Sequence, residues 1–183
     1  MGRETRRVSL PNIITLFRLL LVPAVIWAIG AHQFELAFWL FLTAGISDGL
    51  DGFIAKRFDM QTELGAYLDP LADKALLVSI YVMLAYVGLI PNWMAIAVVS
   101  RDVMIVGAVL LSQVLAKPVK IAPLFVSKVN TLVQIAFAAW VLASAGLGVD
   151  VPRLQDLGLV VVGLLTGVSA AAYLAEWTRH MAR

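Results

Sequence analysis

Long apolar stretches separated only by short polar turns restrict this chain to a narrow set of folds. Six such stretches cover roughly residues 11–31, 34–56, 64–88, 92–115, 122–146 and 157–177. Each approaches or exceeds the ~20 mainly apolar residues that a helix needs to cross a bilayer. Turn signals at "GAHQ", "IPN", "KPVK" and "GLGVDVP" lie between them. The predicted fold is therefore all-α: a polytopic membrane protein built as a bundle of six transmembrane helices. Composition agrees, since 61% of the residues are hydrophobic and 14% are charged, against about half and a quarter in a soluble domain. No hydrophilic insertion is long enough for a second domain, so residues 1–183 read as one domain, with 1–10 a short basic juxtamembrane segment.

The distribution of basic residues sets an expected orientation. With a cytoplasmic N-terminus, that side collects Arg3, Arg6, Arg7, Lys56, Arg57, Lys117, Lys120, Arg179 and Arg183, while the opposite loops hold only Arg153. Both termini are then cytoplasmic. The leader resembles a signal peptide in its basic start, but its apolar run is interrupted by Asn12, Thr15 and Arg18 and reads as a retained first helix. The chain has no cysteine, which excludes a disulfide framework and thiolate metal sites. Nothing in the pattern calls for nucleic acid.

Against this background the segment "SDGLDGFIAKRFDMQTELGAYLDPLADK" is anomalous. Asp48 and Asp51 are spaced i,i+3 at the end of the second apolar stretch. Asp69 and Asp73 are spaced i,i+4 at the start of the third, so each pair shares one helix face. The short connection predicts that these two helices are antiparallel neighbours and that the carboxylates converge. An ionised Asp at membrane depth costs up to about 2.5–3.5 kcal/mol, and four together repel one another. Divalent cations relieve both penalties, and all-oxygen ligation favours Mg²⁺ or Mn²⁺. The bland alternative is helix capping or pairing with Lys56, Arg57 and Lys74. Gly45, Gly49, Gly52 and Gly65 lie beside the acids, where missing side chains admit either a ligand's phosphates or a tightly packed helix.

The run Asp48-Gly-Leu-Asp51-Gly52-Phe-Ile-Ala55-Lys56, followed by Gly65, Asp69 and Asp73, resembles the signature D-x2-D-G-x2-A-R-x8-G-x3-D-x3-D of the CDP-alcohol phosphatidyltransferases. One position departs: Lys56 stands where the family has Arg, keeping the charge but not the bidentate fork. The resemblance implies that Asp48, Asp51, Asp69 and Asp73 hold two divalent cations, Mg²⁺ or Mn²⁺, against the diphosphate of CDP-diacylglycerol. It also implies that Asp73 is the general base, that Gly52, Ala55, Lys56 and Gly65 bind the nucleotide, and that the protein is a homodimer.

Three polar groups bear on the ligands. Asn12, Thr15 and Arg18 form a stripe on the first helix, and the resemblance places Asn12 and Thr15 beside the CDP-diacylglycerol pocket. Arg101 and Asp102 lie about ten residues into the fourth helix, either as a self-neutralised pair or with Arg101 free to bind an anionic acceptor. Lys128, at the cytoplasmic end of the fifth, either snorkels or joins Arg101 in an acceptor-phosphate site. The wording of "SRDVMI" and "SKVNT" is similar to the mitochondrial-type cardiolipin synthase branch, implying phosphatidylglycerol as acceptor. The alternative is the phosphatidylglycerophosphate synthase branch, with glycerol 3-phosphate. A bacterial or mitochondrial inner membrane is the expected location, with the active site facing the cytoplasm. A cation-coupled transporter is the non-enzymatic alternative, but its acids would lie near mid-membrane and its halves would repeat.

Overall fold

The computed structural model describes the backbone of residues 10–58, 63–114, 125–149 and 151–181, and the side chains of 17–47, 74–108, 111, 112, 125–149 and 151–180. Among the described residues the protein is all helix: α1 Leu10–Gly30, α2 Phe34–Phe58, α3 Glu63–Tyr86, α4 Asn92–Val114, α5 Phe125–Leu147 and α6 Pro152–Met181. Each apolar stretch of the sequence becomes one helix. The sixth begins five residues before its apolar run, because Pro152 supplies a preset first helical position ahead of Arg153, Gln155 and Asp156.

The turns stop the helices by satisfying their last carbonyls. At the end of α1, His32 takes the left-handed conformation (φ 57°), its N–H donates to the Ile29 carbonyl at 3.0 Å, and Gln33 N–H donates to the Ala28 carbonyl at 2.8 Å. This is the bonding of a Schellman cap, with histidine where glycine is usual. Gly88 (φ 78°) closes α3 in the same way, with Leu89 N–H on the Leu84 carbonyl at 2.9 Å. Gln155 Nε2 then donates to the Leu89 carbonyl at 3.0 Å, fastening the start of α6 to that turn.

The helices form a closed ring in the order α2, α1, α3, α4, α6, α5, with slight contact across it between α3 and α5. Direct packing of α2 on α3, expected from their short connection, does not occur among the described residues. The reason is α1. Its buried stripe of Leu21, Val25, Ala28 and Ile29 fills the space between Ala37, Phe41 and Ala44 of α2 and Leu77, Ile80, Tyr81 and Leu84 of α3. Outward, every helix shows large apolar side chains, among them Trp27 (60% exposed), Trp39 (51%), Tyr86 (80%), Ile96 (64%), Leu132 (70%) and Leu164 (65%). By length and composition, α5 and α6 are both able to cross a membrane among the described residues.

Two glycines permit the closest approaches. A Cβ on Gly146 would fall 2.4 Å from the Glu35 backbone nitrogen, and one on Gly158 would fall 2.4 Å from the Phe137 ring. At Gly146 the obstacle is backbone, so α5 and α2 would have to separate. Gly146→Ala is expected to destabilise the protein by about 1–3 kcal/mol, as overpacking does. Gly167→Ala, with nothing within 4 Å of its Cβ, should leave stability unchanged. Thermal unfolding of the two purified variants in detergent checks the contrast.

Candidate functional site

The four aspartates sit on unbroken helix: Asp48 and Asp51 in α2, Asp69 and Asp73 in α3. Their side chains lie outside the described residues, as do those of Asn12, Thr15, Ala55 and Lys56 and the surroundings of Gly52 and Gly65. The backbone still constrains them. A helix puts residues three or four apart on one face, and only four residues separate the end of α2 from the start of α3. That link holds the two helix ends within about 17 Å of each other. The donor set, carboxylate oxygen throughout, fits a hard divalent cation such as Mg²⁺ or Mn²⁺. Among the described residues no other group of three or more His, Cys, Asp or Glu side chains could hold a metal.

A cavity of about 370 Å³ is lined by residues next in sequence to the acid-bearing stretches of these helices. Arg18 of α1, Gly45 of α2, Lys74 of α3, Asp102 of α4 and Thr131 of α5 all line it, with Phe41, Leu76, Leu77 and Ile135 making its walls mostly apolar. Gly45 precedes Asp48 by three residues, about 4.5 Å of helix rise, and Lys74 directly follows Asp73. A Cβ on Gly45 would meet nothing within 4 Å. Among the described residues that glycine therefore borders open space, with no neighbouring helix packed against it.

Three of the charged groups beside the cavity, Lys74, Arg101 and Asp102, form one node. Arg101, 4% exposed, donates from Nη1 to Asp102 Oδ1 at 2.6 Å and from Nε and Nη2 to Ser169 Oγ at 3.2 and 2.8 Å. Nη2 also donates to Ser127, and the guanidinium lies 5.7 Å from the centre of the Tyr173 ring. Lys74 Nζ reaches the same Asp102 oxygen at 3.0 Å. The node thus ties α3 to α4, α5 and α6. Removing one member of such a buried pair leaves the other charge uncompensated, typically at about 3–5 kcal/mol.

Sequence reasoning left Arg101 either paired or free for an acceptor; the structure pairs it, behind Asp102. Lys128, expected beside it, is exposed and makes no ion pair or hydrogen bond among the described residues. Arg18, from the polar stripe of α1, is 3% exposed and faces the cavity.

A second polar chain crosses the core. Tyr81 Oη donates to the Gln134 carbonyl at 3.0 Å, Gln134 Nε2 to Thr166 Oγ1 at 3.1 Å, and Thr166 Oγ1 to Asn130 Oδ1 at 3.1 Å. Asn130 and Gln134 thereby face α6, whereas neighbouring Thr131 faces the cavity. Sequence reasoning missed Lys74 as a cavity residue, and it missed Ser127, Thr166, Ser169 and Tyr173. The stripe Thr166, Ser169, Tyr173, at spacings of three and four on an apolar helix, was a signal able to reveal the last three.

The comparisons with known proteins fit this geometry. A family model described as CDP-alcohol phosphatidyltransferase matches residues 8–176. The human protein named cardiolipin synthase (CMP-forming) is 36% identical over 152 residues, covering 74% of this chain and 50% of that protein. A probable cardiolipin synthase (CMP-forming) of Drosophila melanogaster is 34% identical, covering 97% of this chain and 60% of its own length. A probable phosphatidylglycerophosphate synthase of Mycobacterium tuberculosis is 32% identical over 97% of this chain and 86% of its own length. The chain spans about half the length of the mammalian relatives it matches. A family model that matches almost end to end, over residues that carry the paired-aspartate signature, settles the membership: this chain belongs to the CDP-alcohol phosphatidyltransferase family.

Proposed function

We propose that the protein is an integral membrane enzyme that transfers a phosphatidyl group from CDP-diacylglycerol to phosphatidylglycerol, giving cardiolipin and CMP. The observation that carries this reading is the position of the paired-aspartate segment next to a cavity with charged lining and apolar walls. A cavity of about 370 Å³ has the dimensions of a small-molecule or headgroup pocket, and its walls suit an acceptor that arrives with acyl chains. The apolar exposure of every helix is costly in water and supports burial in lipid. Six spans with both termini cytoplasmic, a site on the cytoplasmic face of an inner membrane, and a homodimeric assembly complete the reading.

The chemistry follows from the residues. Asn12, Thr15, Gly52, Ala55, Lys56 and Gly65 bind the CDP-diacylglycerol end, while Arg101 and Lys128 contribute positive charge on the side of the acceptor phosphate. Two divalent cations held by Asp48, Asp51, Asp69 and Asp73 would neutralise the diphosphate and stabilise charge on the attacking and leaving oxygens. Asp73 takes the proton of the acceptor hydroxyl. The freed oxygen forms a bond to the phosphorus that bears the diacylglycerol. The bond from that phosphorus to the bridging oxygen breaks, and CMP leaves with the electron pair.

A second reading, with glycerol 3-phosphate as acceptor, is favoured by the mycobacterial relative, whose length this chain covers more fully. The two separate in one assay: purified protein with CDP-diacylglycerol, Mg²⁺ or Mn²⁺, and one acceptor at a time. CMP release with phosphatidylglycerol and not with glycerol 3-phosphate is expected; the reverse overturns the choice. In the same assay Asp73→Asn is expected to lose about 10²–10⁴-fold in turnover, the usual worth of a positioned base. Turnover near wild type would remove Asp73 from that role.

A further inference from the structure

Among the charged groups of the node beside the cavity, only one is open. The side chain of Arg101 is 4% exposed and that of Asp102 is 10% exposed, while the side chain of Lys74 is 41% exposed. Arg101 is not among the residues that line the cavity, whereas Lys74 and Asp102 are. The guanidinium is already occupied by Asp102, Ser127 and Ser169, and Tyr173 lies beside it. For an acceptor to bind Arg101 directly, it would have to dismantle that set.

The charge balance points the same way. Two cations, Arg101 and Lys74, share one oxygen of one anion, Asp102, so the three groups together carry one surplus positive charge. That surplus is presented to the cavity at the lysine, the one exposed member of the three (41% against 10% and 4%). An unbalanced charge at the wall of a mostly apolar cavity is stabilised by an anion. A lysine left alone in such a place tends to reach away to a polar surface; the link to Asp102 keeps it at the cavity.

We propose that Lys74 is the direct contact for the phosphate ester anion of the acceptor, with Asp102 and Arg101 as positioning residues that hold the ammonium in place. The anion is the phosphodiester of phosphatidylglycerol or the monoester of glycerol 3-phosphate; both present the same anionic oxygens. The inference rests on the transferase reading and adds to it the residue that meets the acceptor. Lys74 stands one residue from Asp73 in α3, so proton removal and anion binding are assigned to a single turn of one helix. A compact, rotatable ammonium suits either ester.

The test is a titration that does not depend on turnover. Short-chain phosphatidylglycerol and glycerol 3-phosphate are each titrated into the full-length protein with CMP and Mg²⁺ present, for wild type, Lys74→Met, Lys74→Arg and Asp102→Asn. Lys74→Met is expected to weaken binding of the acceptor by about tenfold or more, the worth of a hydrogen bond to a charged group. Lys74→Arg should stay within about threefold of wild type, Asp102→Asn should weaken acceptor binding, and CMP affinity should be unchanged in all three. A merely structural Lys74 would move CMP affinity and thermal stability together with acceptor affinity, and that result overturns the proposal. So does acceptor affinity unchanged in Lys74→Met, or a wild type that binds neither ester. A wild type that releases no CMP in the turnover assay, yet binds an ester through Lys74, would refute the transferase reading and uphold this contact.

Discussion

A charge inside an apolar bundle has to find its counter-charge inside the bundle, since neither lipid nor hydrocarbon side chains can solvate it. That constraint organises what is polar here. Arg101 meets it with one carboxylate, two serine hydroxyls and the neighbouring Tyr173 ring. Gln134, Thr166 and Asn130 meet it as a chain of hydrogen bonds between α5 and α6. The paired acids of α2 and α3 add four like charges to two apolar helices, and the function proposed above balances them with divalent cations.

The ring of helices determines where that answer is useful. Because α1 fills the space between α2 and α3, those two helices meet the rest of the bundle through different neighbours: α2 against α5, α3 against α4. The cavity is lined by these five helices together, and its lining on α2 and α3 adjoins the acidic segment in sequence. Asp102 binds the same framework from the other side, holding α3 to α4 through Lys74 while Arg101 reaches across to α5 and α6. A ligand in the cavity is thus surrounded by elements fixed to one another by packing and by charge.

Much of this was legible in the sequence because it is written in local pattern. The number and approximate bounds of the helices follow from apolar run length, and family membership from the spacing of Asp48, Asp51, Asp69 and Asp73. Where reading fell short, the missing information was about neighbours. Nothing in the four-residue link between α2 and α3 reveals that α1 stands between them. Arg101 and Lys128 look alike as buried-helix cations, yet one is enclosed by Ser127, Ser169 and Asp102 and the other is exposed. Asn130 and Thr131 are adjacent in sequence and face different partners. Pro152 began α6 early because a preset backbone angle, and not hydropathy, starts a helix.

The central claim is that acids from two separate helices act as one cation-binding unit at the edge of the cavity. Manganese binding to the purified protein, followed by electron paramagnetic resonance, tests it most directly. The account predicts two bound ions per chain in wild type, with both weakened by Asp51→Asn on α2 and by Asp69→Asn on α3 alike. Full manganese binding in either variant would contradict it, because the two helices would then not share their ions.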